Sequence, residues 1–172
     1  MSHSLEFFIA HTIGETFSAG TIVERWPLHM TVIPPFAIPL DVNVDTILER
    51  IAHSGRELGT IKLGYGAIRA GAIPIEIGNE AMFGDAKDIP VVELLDPSNK
   101  LHVLHAALLA DLADTGCEYI SLNPQWSGVN FSPHATMKSG EKLAKPFFCT
   151  TLALLGKTET DKRVISTVDL CD

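Results

Sequence analysis

Two short segments of this chain pair a histidine with a threonine two residues later. They are Pro27-Leu28-His29-Met30-Thr31 in the first half and Pro133-His134-Ala135-Thr136 in the second. On an extended strand, residues i and i+2 point to the same face. Each segment would then present an imidazole and a hydroxyl together, with Met30, Val32, Ala135 and Met137 turned toward a core. An imidazole, with an ordinary pKa of about 6.5, can take or give a proton near neutral pH. Two of them on opposite sides of a phosphorus centre suit in-line displacement, one beside the attacking oxygen and one beside the leaving oxygen. The threonine hydroxyls can donate to the non-bridging oxygens, where charge builds in the transition state. No metal is needed. One His-x-Thr alone is as readily a packed or solvated histidine; the duplication, each copy behind a proline and on a predicted strand, is what points to chemistry.

The elements that must position these groups follow from hydrophobic pattern and punctuation. Leu5–Ala10 reads as a first strand, and Leu28–Ile33 as a second that stops at Pro34-Pro35. Asn43 is a helix N-cap ahead of Val44, Ile47, Leu48 and Ile51, spaced i, i+3, i+4 and i+7, and Gly59 is the stop signal after Leu58. Residues 60–70 alternate in a β-like way, and residues 71–90, rich in Gly, Ala and Pro, hold short strands or a connection. Val91–Leu95 is a strand. Asp96-Pro97 then reads as a helix start, with Leu101, Leu104, Leu108 and Leu112 as an apolar stripe before Gly116. Asn130–Met137, Thr150–Leu155 and Arg163–Leu170 complete the strands. The class is α+β, with helices packed outside sheets, and 172 residues suit a single two-lobed domain over residues 1–172.

With their surroundings, Trp26-Pro-Leu-His-Met-Thr-Val-Ile-Pro-Pro-Phe36 and Asn130-Phe-Ser-Pro-His-Ala-Thr-Met137, the two motifs resemble the signature of the two-histidine (2H) phosphoesterase superfamily. Bacterial RNA 2′,5′-ligase-like cyclic phosphodiesterases are members of it. The leucine-striped helix before the second motif is also similar to the family pattern, so the resemblance covers nearly the whole chain. It implies a bilobal fold of two pseudo-symmetric, mainly antiparallel sheets flanking a central groove. It also implies metal-independent catalysis by His29, Thr31, His134 and Thr136, with no cofactor, on 2′,3′-cyclic phosphates or on 2′,5′-linked or cyclic oligonucleotides. Many bacterial relatives carry an arginine two residues after the second threonine; this chain has Lys138, which by alternation shares the face of His134 and Thr136 and can contact phosphate as a point charge. A solvated lysine at a strand end is the competing reading.

Other residues attract weaker readings. Trp26, Phe36, Tyr65, Trp126 and Phe131 are candidates to stack on a base, Trp126 foremost because it sits in the loop Asn123-Pro-Gln-Trp-Ser-Gly128; core packing is the plainer role for each. His102 and His105, three apart on a helix, lack acidic or cysteine partners at metal-site spacing. His3, His11 and His53 read as ordinary surface or packing residues. No Walker loop, Gly-x-Ser-x-Gly elbow or Gly-x-Gly-x-x-Gly occurs. Twenty-one acids against thirteen Lys and Arg, a net charge of −8, argue against tight binding of bulk nucleic acid and favour a small nucleotide or an RNA end. A cyclic-nucleotide second-messenger hydrolase is a rival within the enzyme class. A nucleotide-binding module of the same fold that has lost catalysis is the rival outside it, and intact His and Thr at all four positions argue against that. Three widely spaced cysteines, no apolar run of membrane length and no signal-like N-terminus point to a cytoplasmic protein without membrane partners.

Overall fold

The computed structural model describes residues 6–39, 41–58, 60–62, 67–69, 72–83, 88–119, 128–138, 141–157 and 160–171. In chain order the elements are β1 (Glu6–Thr12), β2 (Ile22–Val23), β3 (His29–Ala37), α1 (Val44–Leu58), β4 (Thr60–Lys62) and β5 (Ala67–Arg69). They continue with β6 (Ile73–Phe83), β7 (Ile89–Leu95), α2 (Lys100–Asp114), β8 (Glu118–Tyr119), a 3-10 turn (Gly128–Asn130), β9 (His134–Thr136), β10 (Phe147–Cys149), β11 (Thr151–Lys157) and β12 (Lys162–Asp169). Among the described residues only β4 and β5 stand apart, as a two-stranded sheet.

The expected pair of sheets is one continuous sheet of ten strands, in the order β10-β6-β7-β9-β3-β1-β11-β12-β2 with β8 also on β3. The joint lies at its middle, where Met30 of β3 pairs antiparallel with Ala135 of β9. Both side chains are fully buried, so hydrogen bonding and core packing act together to close the seam. The face bearing Met30 and Ala135 is covered by α1 and α2: Ile47, Ile51, Leu101, Leu104, Leu108 and Leu112 share one apolar cluster with them. Each such side chain, fully buried, contributes about 1.5–3 kcal/mol. A smaller cluster of Phe8, Ala10, Ala153, Leu155 and Val164, flanked by Phe17 and Trp26, lies on the other face.

β3 runs on through Pro34 and Pro35, where the sequence suggested a stop. In its pairing with β1, Ile33 faces Ile9 and Phe36 faces Phe7, so the two prolines together oppose Phe8. This bulge is where a ladder can accept residues lacking N–H groups. A second irregularity, at Val32, separates the pair Ile9–Ile33 from Ala10–Thr31.

At α1 the Asn43 side chain accepts from the Asp45 N–H at 3.0 Å, as its N-cap role requires; Gly59 lies outside the described residues. Helix α2 begins three residues later than Asp96-Pro97 suggested, because Asn99, at φ 59°, takes the N-cap position without a side-chain bond. Asp96 still serves the first turn, accepting from the His102 N–H at 3.0 Å. The helix ends as expected at Gly116 (φ 73°), where Gly116 N–H donates to Ala113 O and Cys117 N–H to Leu112 O. Residues 73–83 form one long strand, β6, instead of short pieces. Cys117 and Cys149 are buried and Cys171 is exposed, all three as free thiols. No helix among the described residues is long and apolar enough to cross a membrane.

Candidate active site

Antiparallel continuation of the Met30–Ala135 pair sets His29 across from Thr136 and Thr31 across from His134. All four side chains point away from the helix-covered face, because Met30 and Ala135 point into it. Directly opposed side chains in such a ladder stand roughly 4.5–5.5 Å apart at Cβ, and diagonal neighbours about 7–8 Å. The histidines occupy one diagonal of this quartet and the threonines the other. A local two-fold axis through the Met30–Ala135 pair therefore relates the two motifs. The sequence echo is an echo in space.

The two imidazoles are oriented by the same local device. His29 Nδ1 lies 2.7 Å from the Pro27 carbonyl oxygen, and His134 Nδ1 lies 2.9 Å from that of Ser132, each two residues upstream. A carbonyl can only accept, so Nδ1 carries the proton and Nε2 is the basic atom of each neutral ring. Ser132 precedes Pro133, which holds it in an extended conformation that suits this approach. Each ring also meets an aromatic: His29 lies 5.3 Å from Phe8, and His134 meets Phe83 edge-on at 4.7 Å, between ring centres.

Burial is the first cause that pushes the pKa of both histidines below the ordinary 6.5, and the carbonyl bonds only partly offset it. His29 is lowered further by the positive charges of Lys138 and His134, which places both within electrostatic reach of it. Thr31 is half-buried and Thr136 exposed, and neither hydroxyl is engaged by another group among the described residues.

Lys138 is brought to the quartet. Its ammonium donates to the carbonyl oxygen of Trp26, tying the end of the second motif to the start of the first. Its backbone N–H donates to a Glu141 carboxylate oxygen at 2.8 Å. Among the described residues, two of the three ammonium protons remain for another acceptor. Trp126 lies outside the described residues, as do Tyr65 and His3. Phe36 is fully buried behind β3, and Phe131 is buried against α2.

His11, His102 and His105 have structural partners. His11 Nδ1 bonds the Thr151 carbonyl oxygen at 2.9 Å, and its ring stacks on Phe147. His102 Nδ1 bonds Asp96 Oδ2 at 2.8 Å. His105, almost fully buried, donates from Nδ1 to Val32 O at 2.6 Å and accepts the Gly128 N–H at Nε2 at 3.0 Å, with Phe131 stacked on it at 3.9 Å. It thereby fastens the bulge beside Thr31 to the segment that leads into His134. Sequence reasoning missed this residue, as it missed Phe8, Phe83 and Glu93. Glu93 of β7 lies directly across from His134 and shares its face.

Comparison with known families matches residues 11–162 to the one described as the 2'-5' RNA ligase superfamily. Several solved structures share the fold. E. coli LigT complexed with NADP+ is 15% identical, aligns over 99% of this chain and 100% of its own, and has a TM-score of 0.56. E. coli LigT complexed with 3'-AMP is 14% identical, over 99% and 100%, at 0.53. A protein described only as a phosphoesterase is 13% identical, over 97% and 99%, at 0.55. No curated protein sequence matches.

Proposed function

The chain belongs to the 2'-5' RNA ligase superfamily, and from that premise we propose that it is a metal-independent phosphodiesterase acting on 2′,3′-cyclic phosphates or on 2′,5′-linked or cyclic oligonucleotides. The observation that carries this reading is the Met30–Ala135 pairing, which gathers two imidazoles and two hydroxyls into one two-fold quartet. A phosphoryl group above the centre of that quartet has a histidine on each side along one diagonal. It has a hydroxyl donor on each side along the other. Displacement in line needs the former, and stabilisation of the non-bridging oxygens needs the latter. E. coli LigT in complex with 3'-AMP and with NADP+ supports a nucleotide of small size as the ligand class.

Of the two histidines, His29 is assigned as base. Burial first, and then the charges of Lys138 and His134, lower its pKa and favour the neutral form a base needs before reaction. In hydrolysis of a 2′,3′-cyclic phosphate, His29 Nε2 takes a proton from water as the water oxygen bonds to phosphorus. The bond from phosphorus to one ribose oxygen breaks, and His134 gives that oxygen the proton carried on its Nε2. The bound phosphate anion favours the protonated form of His134. Thr31, Thr136 and Lys138 hold the phosphate oxygens.

The test is turnover of 2′,3′-cyclic AMP by the wild type and by His29→Ala and His134→Ala. Each histidine variant should lose on the order of 10²–10⁴ in rate, with Thr31→Ala and Thr136→Ala losing less. A wild type that binds 3′-AMP yet turns over none of the cyclic or 2′,5′-linked substrates would show a binding module instead.

A further inference from the structure

On the His134 side of the quartet, the same face carries a carboxylate that the proposed hydrolysis leaves unused. Glu93 of β7 lies directly across from His134, and Val91 across from Thr136. With neighbouring strands about 4.8 Å apart, β7 runs roughly 7 Å from the seam between β3 and β9, over which the reacting phosphate is proposed to sit. Glu93 is half-buried, and among the described residues it makes no hydrogen bond or ion pair. Its two oxygens can accept a pair of donors side by side.

Strand β6 bends around this residue. Its register with β7 passes from Ile77–Leu94 to Glu80–Val92, so Gly78 and Asn79 together oppose Glu93. Bulges of this kind are frequent beside active sites, and a glycine inside a strand often marks a close approach. A Cβ at Gly78 would stand 3.1 Å from Glu93 Cβ and 3.1 Å from its carbonyl oxygen, inside ordinary packing distance. Apolar surface adjoins the carboxylate. Val91 is 2% exposed, and Ile89 and Phe83, a ladder pair, share its face by alternation. The Phe83 ring stands edge-on to His134 at 4.7 Å between centres. A paired acceptor beside an aromatic and aliphatic flank suits a nucleobase, which stacks by its face and donates from its edge.

We propose that Glu93 reads the base of the substrate and selects guanine. The inference rests on the phosphodiesterase reading. There His134 protonates the leaving ribose oxygen, so that ribose stands beside His134 and its base extends over β7. The lateral span from the quartet to Glu93 matches that from a ribose-bound phosphate to the hydrogen-bonding edge of the base. Guanine presents two adjacent donors, the N1–H and the N2 amino group, which match the two carboxylate oxygens. Adenine and cytosine present one amino group beside a ring acceptor, and uracil one N–H between two carbonyls, which a carboxylate repels. The same negative charge turns any further phosphate away from β7.

The experiment has a turnover arm and a binding arm. In the first, kcat/KM is compared for the 2′,3′-cyclic phosphates of guanosine, adenosine, cytidine and uridine. One extra charge-assisted bond predicts an advantage of roughly tenfold or more for guanosine over adenosine. Glu93→Gln, nearly the same in shape, should remove that advantage and raise adenosine above guanosine, because an amide can donate to adenine and accept from it at once. In the second arm, 3′-GMP and 3′-AMP are titrated by calorimetry against both proteins, with the same preference and the same reversal expected. Equal handling of guanosine and adenosine by the wild type, or a preference unchanged in Glu93→Gln, overturns the proposal. So does a Glu93→Gln variant that loses rate on all four substrates alike, since Glu93 would then act on His134 and not on the base. Failure to bind either 3′-nucleotide overturns it as well. A guanine preference in binding that depends on Glu93, without turnover of any substrate, would refute the phosphodiesterase reading and leave the base selection standing.

Discussion

Replacing His105 with phenylalanine should destabilise the protein and misplace the quartet together. The phenyl ring keeps the stack on Phe131 but can neither donate to Val32 O nor accept from Gly128 N–H. Both backbone groups would be left without a partner in a region where His105 itself is 1% exposed. An unsatisfied buried polar group costs about 1–3 kcal/mol, so the pair predicts about 2–6 kcal/mol. For a chain of this size a kilocalorie moves the melting temperature by roughly 2–4 °C, so the transition should fall by roughly 4–24 °C. The assay is a thermal melt beside kcat measured well below the transition. Rate should fall as well, because one lost bond releases the Val32 bulge next to Thr31 and the other releases the segment ahead of His134. His105→Gln, whose amide can donate and accept at once, should recover part of both. A phenylalanine variant that melts within a degree of wild type would refute the bridging role. One that melts lower yet keeps full kcat would confine that role to stability.

Acid should weaken the fold from the histidines alone. His11, His29, His105 and His134 all have pKa values below 6.5, burial being the main cause, so the folded state binds fewer protons than the unfolded one below that pH. Their contribution is complete above pH 6.5 and is lost as pH falls through the folded values; a urea midpoint flat from pH 7 to 5.5 would contradict this. Lys138→Met removes a positive charge that lowers His29, so the acid limb of kcat/KM, which reports the free enzyme, should move to higher pH; a limb that stays or moves down would break the link. Activity should survive dialysis against EDTA undiminished, and a strict, reversible metal requirement would sink the proposed mechanism.

The strands and helices that carry strong periodicity were legible in the sequence, and the misses have local causes. Pro34 and Pro35 read as a terminator because the sequence does not reveal that β1 would offer a bulge opposite Phe8. β6 was unreadable as one strand because, among the described residues, only Ile73, Pro74 and Ile75 have a neighbour in β10 and the rest pairs with β7. With one edge unpaired among the described residues and several exposed positions, residues 76–83 lack the apolar alternation that marks a covered strand. The single continuous sheet was hidden for a different reason. Its seam is one pairing, Met30 with Ala135, between residues with no sequence signal for each other.

The four motif residues were legible because a strand turns i, i+2 spacing into a shared face. What the echo could not reveal is that its two copies are unequal. Both imidazoles use the same bond to a carbonyl two residues back, so local sequence makes them twins. Their neighbours arrive from elsewhere in the fold. Lys138, reaching across to Trp26, sets a cation beside His29, whereas β7 sets the Glu93 carboxylate across the ladder from His134. A cation beside an imidazole disfavours its protonated form, on top of the burial that lowers the pKa of both rings. On the phosphodiesterase reading proposed above, the duplicated motif supplies two proton carriers, and the Lys138 charge beside His29 makes it the one left neutral to receive the proton.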